Sequence, residues 1–405
     1  MKIGVVVHGP GIIDSGHAVS ILNFLSNFGE VYCRLGGTMG RTAVLDASLE
    51  DIIDISEKLL PSQSLKKFKE EDMDCIFLLN YGKSQTTGCV FGYKVFNNYS
   101  NNLPDNNTPV IQIERPGEKD GNIILWGGFK KKLNINKSNN FNVEFVDIED
   151  FIKYIGEELD LNFITPEEIR LKYFNEEDND IFDVRWIHGV SEGENILVNG
   201  HVIGKATSNN VKLIVKDGVI VDIEGGIIKQ HGVEKLGKIN LEECIIKTGL
   251  LRKSTNINPR IIENTNNDNH FKIGYLNHIA EDVYKYKDCD LVVTIGDDTT
   301  EISSDILYRF NIPIIGITDG DLDKIIEKGF INENSKIVEL ESGYDDIIGN
   351  KIYTEIFHRN KFIIKEYPKN IDKKIFKKSE FTNLFNNIIR IVNNINCNFN
   401  IINKV

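Results

Sequence analysis

The chain has 405 residues, 41% of them hydrophobic and 26% charged, and a formal net charge of −13 at pH 7. This excludes a collagen-like, mainly disordered or disulfide-scaffold protein, and the length predicts two or three domains. So acidic a chain would repel a phosphate backbone, so nucleic acid is disfavoured and a small ligand is the expected partner.

The first apolar run, IGVVV at 3–7, is too short for a signal peptide and runs into Gly and Pro. Nowhere do about 18 apolar residues follow one another, so no membrane span is expected and the reading is cytoplasmic. Cys33, Cys75, Cys89, Cys244, Cys289 and Cys397 form no CxxC pair. They read as buried free thiols in a reducing compartment.

In chain order, IGVVV, EVYCRL (30–35), CIFLL (75–79) and PVIQI (109–113) read as strands, with a helix after Asp14-Ser15 and a helix-rich stretch at roughly 47–70. Buried strands alternating with helices predict a Rossmann-like α/β domain over 1–130. A helix at 148–159 and a linker fill 131–184. From 185 to 260, short β-branched runs are separated by Asn199-Gly200 and Asp217-Gly218, which predicts a β-rich module with two hairpins. LVVTI (291–295), a helix aligning Ile302, Ile306 and Phe310, IPIIGI (312–317) and the helix DLDKIIEKG predict an α/β unit over 270–345. The segment 351–405 carries 11 Lys or Arg against 4 Asp or Glu and is Asn-rich, so it reads as a basic, mobile tail.

Two glycine loops follow the first two strands. HGPGIIDSG supplies Gly9 and Gly11, and GGTMGRTA supplies Gly36, Gly37, Thr38, Arg41 and Thr42. Glycine amides, hydroxyls and a guanidinium suit an anion, and strand ends in a doubly wound sheet are where ligands bind. Both loops are expected to share one concave edge. Gly82-Lys83-Ser84 is not a Walker loop, because Phe77 stands where the pattern needs glycine, but Lys83 follows the third strand and is expected to face the same cleft. Glu114, Arg115 and Glu118 add charge there. In the C-terminal unit, IGDDTTE and ITDGD place Asp297, Asp298, Asp319 and Asp321 at neighbouring strand ends. Crowded carboxylates call for a cation, and oxygen ligands suit Mg²⁺; the competing reading makes them helix caps. His188, His201 and His231 show no metal spacing, His231 being the most notable.

Over roughly 1–345 the chain resembles an uncharacterised archaeal family, a domain of unknown function seen mainly in methanogens. The resemblance rests on VVVHGPGIIDSG, LGGTMGRTAVLDA, IQIERPGEKDG, ILVNGHVIGKA, GGIIKQHGVEKLG, IIKTGLLR and TIGDDTTEISSDILYRFNIPIIGITDGD. It implies a cytoplasmic archaeal protein and no particular activity. The stretch 291–321 is also similar to the DxD strand of Toprim domains, which would make Asp319 and Asp321 Mg²⁺ ligands; the glutamate those domains carry on an earlier strand is replaced by Gly296-Asp297. TIGDDTTE is loosely similar to the GGDGT loop of NAD kinases.

The sequence thus predicts a Mg²⁺-dependent enzyme acting on a phosphorylated or nucleotide ligand. The alternative is a non-enzymatic metabolite-binding or assembly protein. A homo-oligomer stays open.

Overall fold

The structure is a computed structural model that describes residues 1–101, 107–129, 147–173, 183–187, 190, 192–241, 244–248, 258–262, 270–277, 280–319 and 330–402, with backbone alone at 247, 280–282 and 298. Asp321, His188 and the helix expected from DLDKIIEKG lie outside the described residues, as does the side chain of Asp298. The chain is a mixed α/β protein built on four sheets among the described residues.

The first sheet contains β1 (Lys2–His8), β2 (Glu30–Gly36), β3 (Cys75–Asn80), β4 (Val110–Glu114), β5 (Asn122–Gly127) and β6 (Asn162–Phe163), ordered β2-β1-β3-β4-β5-β6. The first four are parallel and β5 is antiparallel to β4. Helices lie on both faces, which is why β3 and β4 are buried at every position and read as unbroken apolar runs. One face carries α1 (Gly11–Asp14), α2 (His17–Leu25), α3 (Arg41–Asp46) and α6 (Ile148–Glu158). The other carries α4 (Pro61–Glu70), α5 (Gln85–Ser100) and α7 (Pro166–Tyr173).

The helix-rich stretch expected at 47–70 is corrected. Helix occupies 41–46 and 61–70, and the chain between them turns at Ser48 (φ 55°), buries Leu49 and Ile53, and lays Asp54 beside Arg34 of β2. Proline at the first position of α4 starts the second helix.

The middle of the chain forms two small antiparallel sheets. β7 (Asp183–Ile187), β10 (Val211–Lys216) and β11 (Val219–Glu224) make one. β8 (Asn195–Val198), β9 (His201–Ala206), β12 (Gly226–Ile228) and β13 (Ile246–Thr248) make the other. Both expected hairpins form, with positive φ at Asn199, Gly200, Asp217 and Gly218 as the tight primed turn requires. A short helix, α8 (Gln230–Leu236), lies on β9; a Cβ at Gly232 would come within 1.8 Å of the Val202 carbonyl oxygen, so only glycine permits this approach.

The last sheet holds β14 (His270–Asn277), β15 (Leu291–Ile295), β16 (Ile314–Thr318), β17 (Lys336–Leu340), β18 (Phe362–Glu366) and β19 (Phe399–Ile402), ordered β18-β14-β15-β16-β17-β19. The inner four are parallel; β18 and β19 close the two edges antiparallel. α9 (Asp297–Tyr308) follows β15, α10 (Asp345–Lys351) follows β17, and α11 (Lys373–Asn394) packs Leu384, Phe385, Ile388, Ile391 and Val392 into the core. The mobile tail expected for 351–405 is therefore overturned for its described part. Those apolar residues recur at helical spacing inside a polar sequence, and the Asn-rich composition hid them.

All six cysteines are free, and five of them are buried. Among the described residues no helix is long and apolar enough to cross a membrane.

Candidate functional site

The expected sites fall on the carboxyl edges of the two parallel sheets. In the first, His8 of β1 is in register with Gly36 of β2 and Asn80 of β3, and Asn80 with Glu114 of β4. The two glycine loops touch. A Cβ on Gly40 would sit 2.9 Å from the Gly9 carbonyl oxygen, and one on Gly37 would sit 3.8 Å from His8 Cδ2. Gly9, Gly11, Gly36 and Gly37 thus share one edge, with left-handed backbone at Gly9 (φ 77°) and Gly37 (φ 88°).

The cations expected beside them are engaged elsewhere. Arg41 is buried and its Nη2 donates to the carbonyls of Ile55 (2.7 Å) and Glu57 (3.0 Å), while its guanidinium lies 4.8 Å from the ring centre of Tyr284. Burial pulls its pKa down. Lys83 Nζ pairs with Glu194 of the β-rich module at 2.5 Å and reaches Thr248 Oγ1 at 3.4 Å. Thr42 is buried in α3, and the Thr38 carbonyl accepts the Arg41 N–H. Arg41 and Lys83 tie the first domain to the rest of the chain, and the edge keeps its glycines without them.

Behind this edge lies a polar network of which sequence reading found only Glu114. His8 Nδ1 lies 2.8 Å from Asn80 Oδ1, and the His8 ring stacks on Phe91 with centres 4.1 Å apart. Asn80 Nδ2 donates to Glu114 Oε2 (2.7 Å), as does Gln112 Nε2 (2.8 Å), and the Gly82 amide donates to Glu114 Oε1 (2.6 Å). Trp126 Nε1 donates to Gln112 Oε1 at 3.0 Å. Glu114 has no exposed surface, and burial pushes its pKa up although three donors favour the carboxylate. One signal was available: polar residues closing CIFLLN and sitting inside VIQIE, where a buried strand has no use for them.

The second edge faces a cleft of about 390 Å³ between the C-terminal unit and the β-rich module. Asp297 after β15, Asp319 after β16 and Asp345 after β17 line one wall; Lys229, His231 and Lys235 line the other. Gly200, from the first hairpin turn, also borders it. Asp319 Oδ2 accepts the Gly343 N–H at 2.9 Å, and the helix it was expected to cap lies outside the described residues. Asp346, beside Asp345 in the first turn of α10, bridges the cleft: Lys235 Nζ lies 2.9 Å and His231 Nε2 3.3 Å from its Oδ2. The structure thus brings Asp297 and Asp319 together on one wall and adds Asp345 and Asp346, which were not expected. Among the described residues, no three His, Cys, Asp or Glu side chains are close enough to hold a metal ion by themselves.

The family described as "uncharacterized protein conserved in archaea" (DUF2117) matches residues 5–360. An uncharacterized protein of Methanocaldococcus jannaschii is 46% identical over 379 residues, covering 93% of this chain and 97% of that protein. No solved structure matches the chain.

Proposed function

We propose, for a chain that belongs to the archaeal family DUF2117, a Mg²⁺-dependent enzyme that acts on a phosphorylated or nucleotide ligand in the cleft between the C-terminal unit and the β-rich module. The observation that carries this reading is the facing of opposite charges across about 390 Å³: Asp297 and Asp319 on one wall, Lys229 and Lys235 on the other, with His231 between them. A metal–phosphate ligand needs both signs. Mg²⁺ is commonly bound by one or two carboxylates, with phosphate oxygens and water completing its octahedron, rather than by an all-protein cage. The absence of a three-residue metal cluster among the described residues is compatible with such sharing. In this reading Asp297 and Asp319 would hold the cation, the lysines would neutralise phosphate oxygens, His231 would offer a ring nitrogen to them, and the metal would supply charge stabilisation at the reacting phosphorus. The Rossmann-like reading of the first domain is part of the same proposal, with the glycine edge as a further anion contact.

One observation favours the alternative, a non-enzymatic metabolite-binding or assembly protein. Asp345 and Asp346 lie in the first turn of α10, where acidic side chains serve the helix dipole without any ligand.

Thermal melts of the full chain with Mg²⁺, with pyrophosphate and with both test the proposal. Together they should raise Tm by more than the sum of their separate effects, because each completes the other's site. At about 100 times Kd the gain is about 2.7 kcal/mol, or several degrees for a chain of this size. Asp319→Asn keeps an acceptor for the Gly343 N–H and removes the charge, so it should abolish the synergy, as should Lys235→Ala. If the two ligands act only additively, or if Asp319→Asn responds as the parent does, the proposal is wrong.

A further inference from the structure

The cleft holds a polar group that the charges on its walls do not use, and the inference drawn from it rests on the cleft reading above. We propose that the phosphoryl group of the ligand docks on the first turn of α9, where the Thr299 hydroxyl donates to it, and that it docks there only after a cation has covered Asp297.

Thr299 is the third residue of α9 and is 4% exposed, and the little surface it keeps borders the cleft. The next residue, Thr300, is equally buried, but its hydroxyl shares a 2.9 Å hydrogen bond with that of Thr294. Among the described residues the Thr299 hydroxyl has no partner. A hydroxyl so enclosed is normally hydrogen-bonded, because withdrawing it from water unpaired costs free energy. Valine would fill the same space without that cost. The hydroxyl is therefore placed to meet something that enters the cleft.

The start of the helix says what that is. α9 is twelve residues long, and the position before it is Gly296 (φ 90°), which has no side chain to cap the first turn and itself borders the cleft. Free amides and the positive end of a helix dipole attract an anion. Lys229 and Lys235 face this turn from the other wall. A phosphoryl group has enough oxygens to accept from the hydroxyl, the amides and a lysine together.

One group opposes the anion. Asp297 opens the same helix and borders the same cleft, and its carboxylate would repel a phosphate. A divalent cation on Asp297 and Asp319 reverses the sign of the field at that spot. Binding is therefore ordered, cation first and phosphate second. Free phosphate and a phosphate ester share this chemistry.

The test is calorimetric titration of the full chain with Mg²⁺ alone, then with inorganic phosphate and with glycerol phosphate, each in the presence and absence of saturating Mg²⁺. The parent should bind phosphate or its ester at least about tenfold more tightly when Mg²⁺ is present, and the tighter of the two identifies the source. Thr299→Val should melt no lower than the parent and bind Mg²⁺ as the parent does. It should weaken the phosphate ligand by about tenfold to a hundredfold, the scale of a hydrogen bond to a charged group, and Thr299→Ser should restore it. If Thr299→Val binds phosphate like the parent, or loses Mg²⁺ affinity instead, Thr299 does not hold the phosphoryl group and the cleft reading stands without it. Phosphate that binds equally well without Mg²⁺ overturns the order of binding. A parent that takes up neither Mg²⁺ nor phosphate overturns the cleft reading and this inference together.

Discussion

Three cations of the first domain, Arg41, Lys83 and Lys94, look outward from their own sheet, and each has a different fate. Arg41 and Lys83 find carbonyl or carboxylate partners. Lys94, half-buried on α5, has the Arg185 charge nearby, and burial first and then that charge push its amine down to about 8. Below that pH the amine is charged in the folded and the unfolded chain alike, and the folded state bears the full desolvation cost. As pH rises from about 8 towards the ordinary lysine value of about 10.4, the folded chain gives up the proton before the unfolded chain does, so stability increases. Lys94→Met should therefore be more stable than the parent at pH 7, by on the order of 2 kcal/mol, with the difference closing above about pH 10. Denaturant midpoints of both proteins across that range provide the check, and a pH-independent difference would count against the burial argument.

At the scale of elements, α5 shows what sequence reading sees and what it misses. Gly88 and Gly92 lower its helix propensity, and by propensity alone Gly88→Ala should stabilise the helix by about 1 kcal/mol. The buried carboxyl of Glu114 stands 1.9 Å from the new methyl and cannot leave without losing its three donors, so the packing term wins. The variant should lose about 1–3 kcal/mol, the usual scale of overpacking, measured by chemical unfolding. A stabilised Gly88→Ala would mean that α5 and Glu114 are further apart than this. Such close approaches pair residues that are distant in sequence, 26 positions apart here, and no local pattern announces them. The hairpins were legible because Asn-Gly and Asp-Gly fix backbone dihedrals locally, and the inner strands because burial on two faces leaves unbroken apolar runs. The edge strands β18 and β19 were not: each has one open side, and their mixed residues, FIIKE and FNII, read as tail. The cleft was half legible for the same reason. Its acidic wall comes from adjacent strands, whereas Lys229, His231 and Lys235 reach it from another unit.

Polar contacts join the units of the molecule. Arg309, after α9, is among the most buried side chains, 1% exposed. Its Nε and Nη2 each donate to Asp46 of the first domain at 2.8 Å, and its Nη1 donates to Asp305 of its own helix at 3.1 Å. The Arg260 amide also donates to Asp46 Oδ1, at 3.0 Å. Two carboxylates around one buried guanidinium make a contact whose geometry matters more than its net gain, since desolvation offsets much of the attraction. Removing one partner is a different matter. Asp46→Ala strands Arg309 with a single carboxylate and takes away the bidentate link between units, at a cost of about 3–5 kcal/mol. Replacing both partners with apolar residues, Asp46→Leu with Arg309→Met, leaves no buried charge seeking a partner, so the double variant should be more stable than Asp46→Ala alone. The loss should also change the shape of unfolding, because domains that no longer share this contact need not melt together. Calorimetry of the full chain should show one main transition for the parent, two for Asp46→Ala, and their partial merging in the double variant. A single transition at unchanged temperature in Asp46→Ala would show that the units are joined by their apolar surfaces and that Arg309 only fills the space between them.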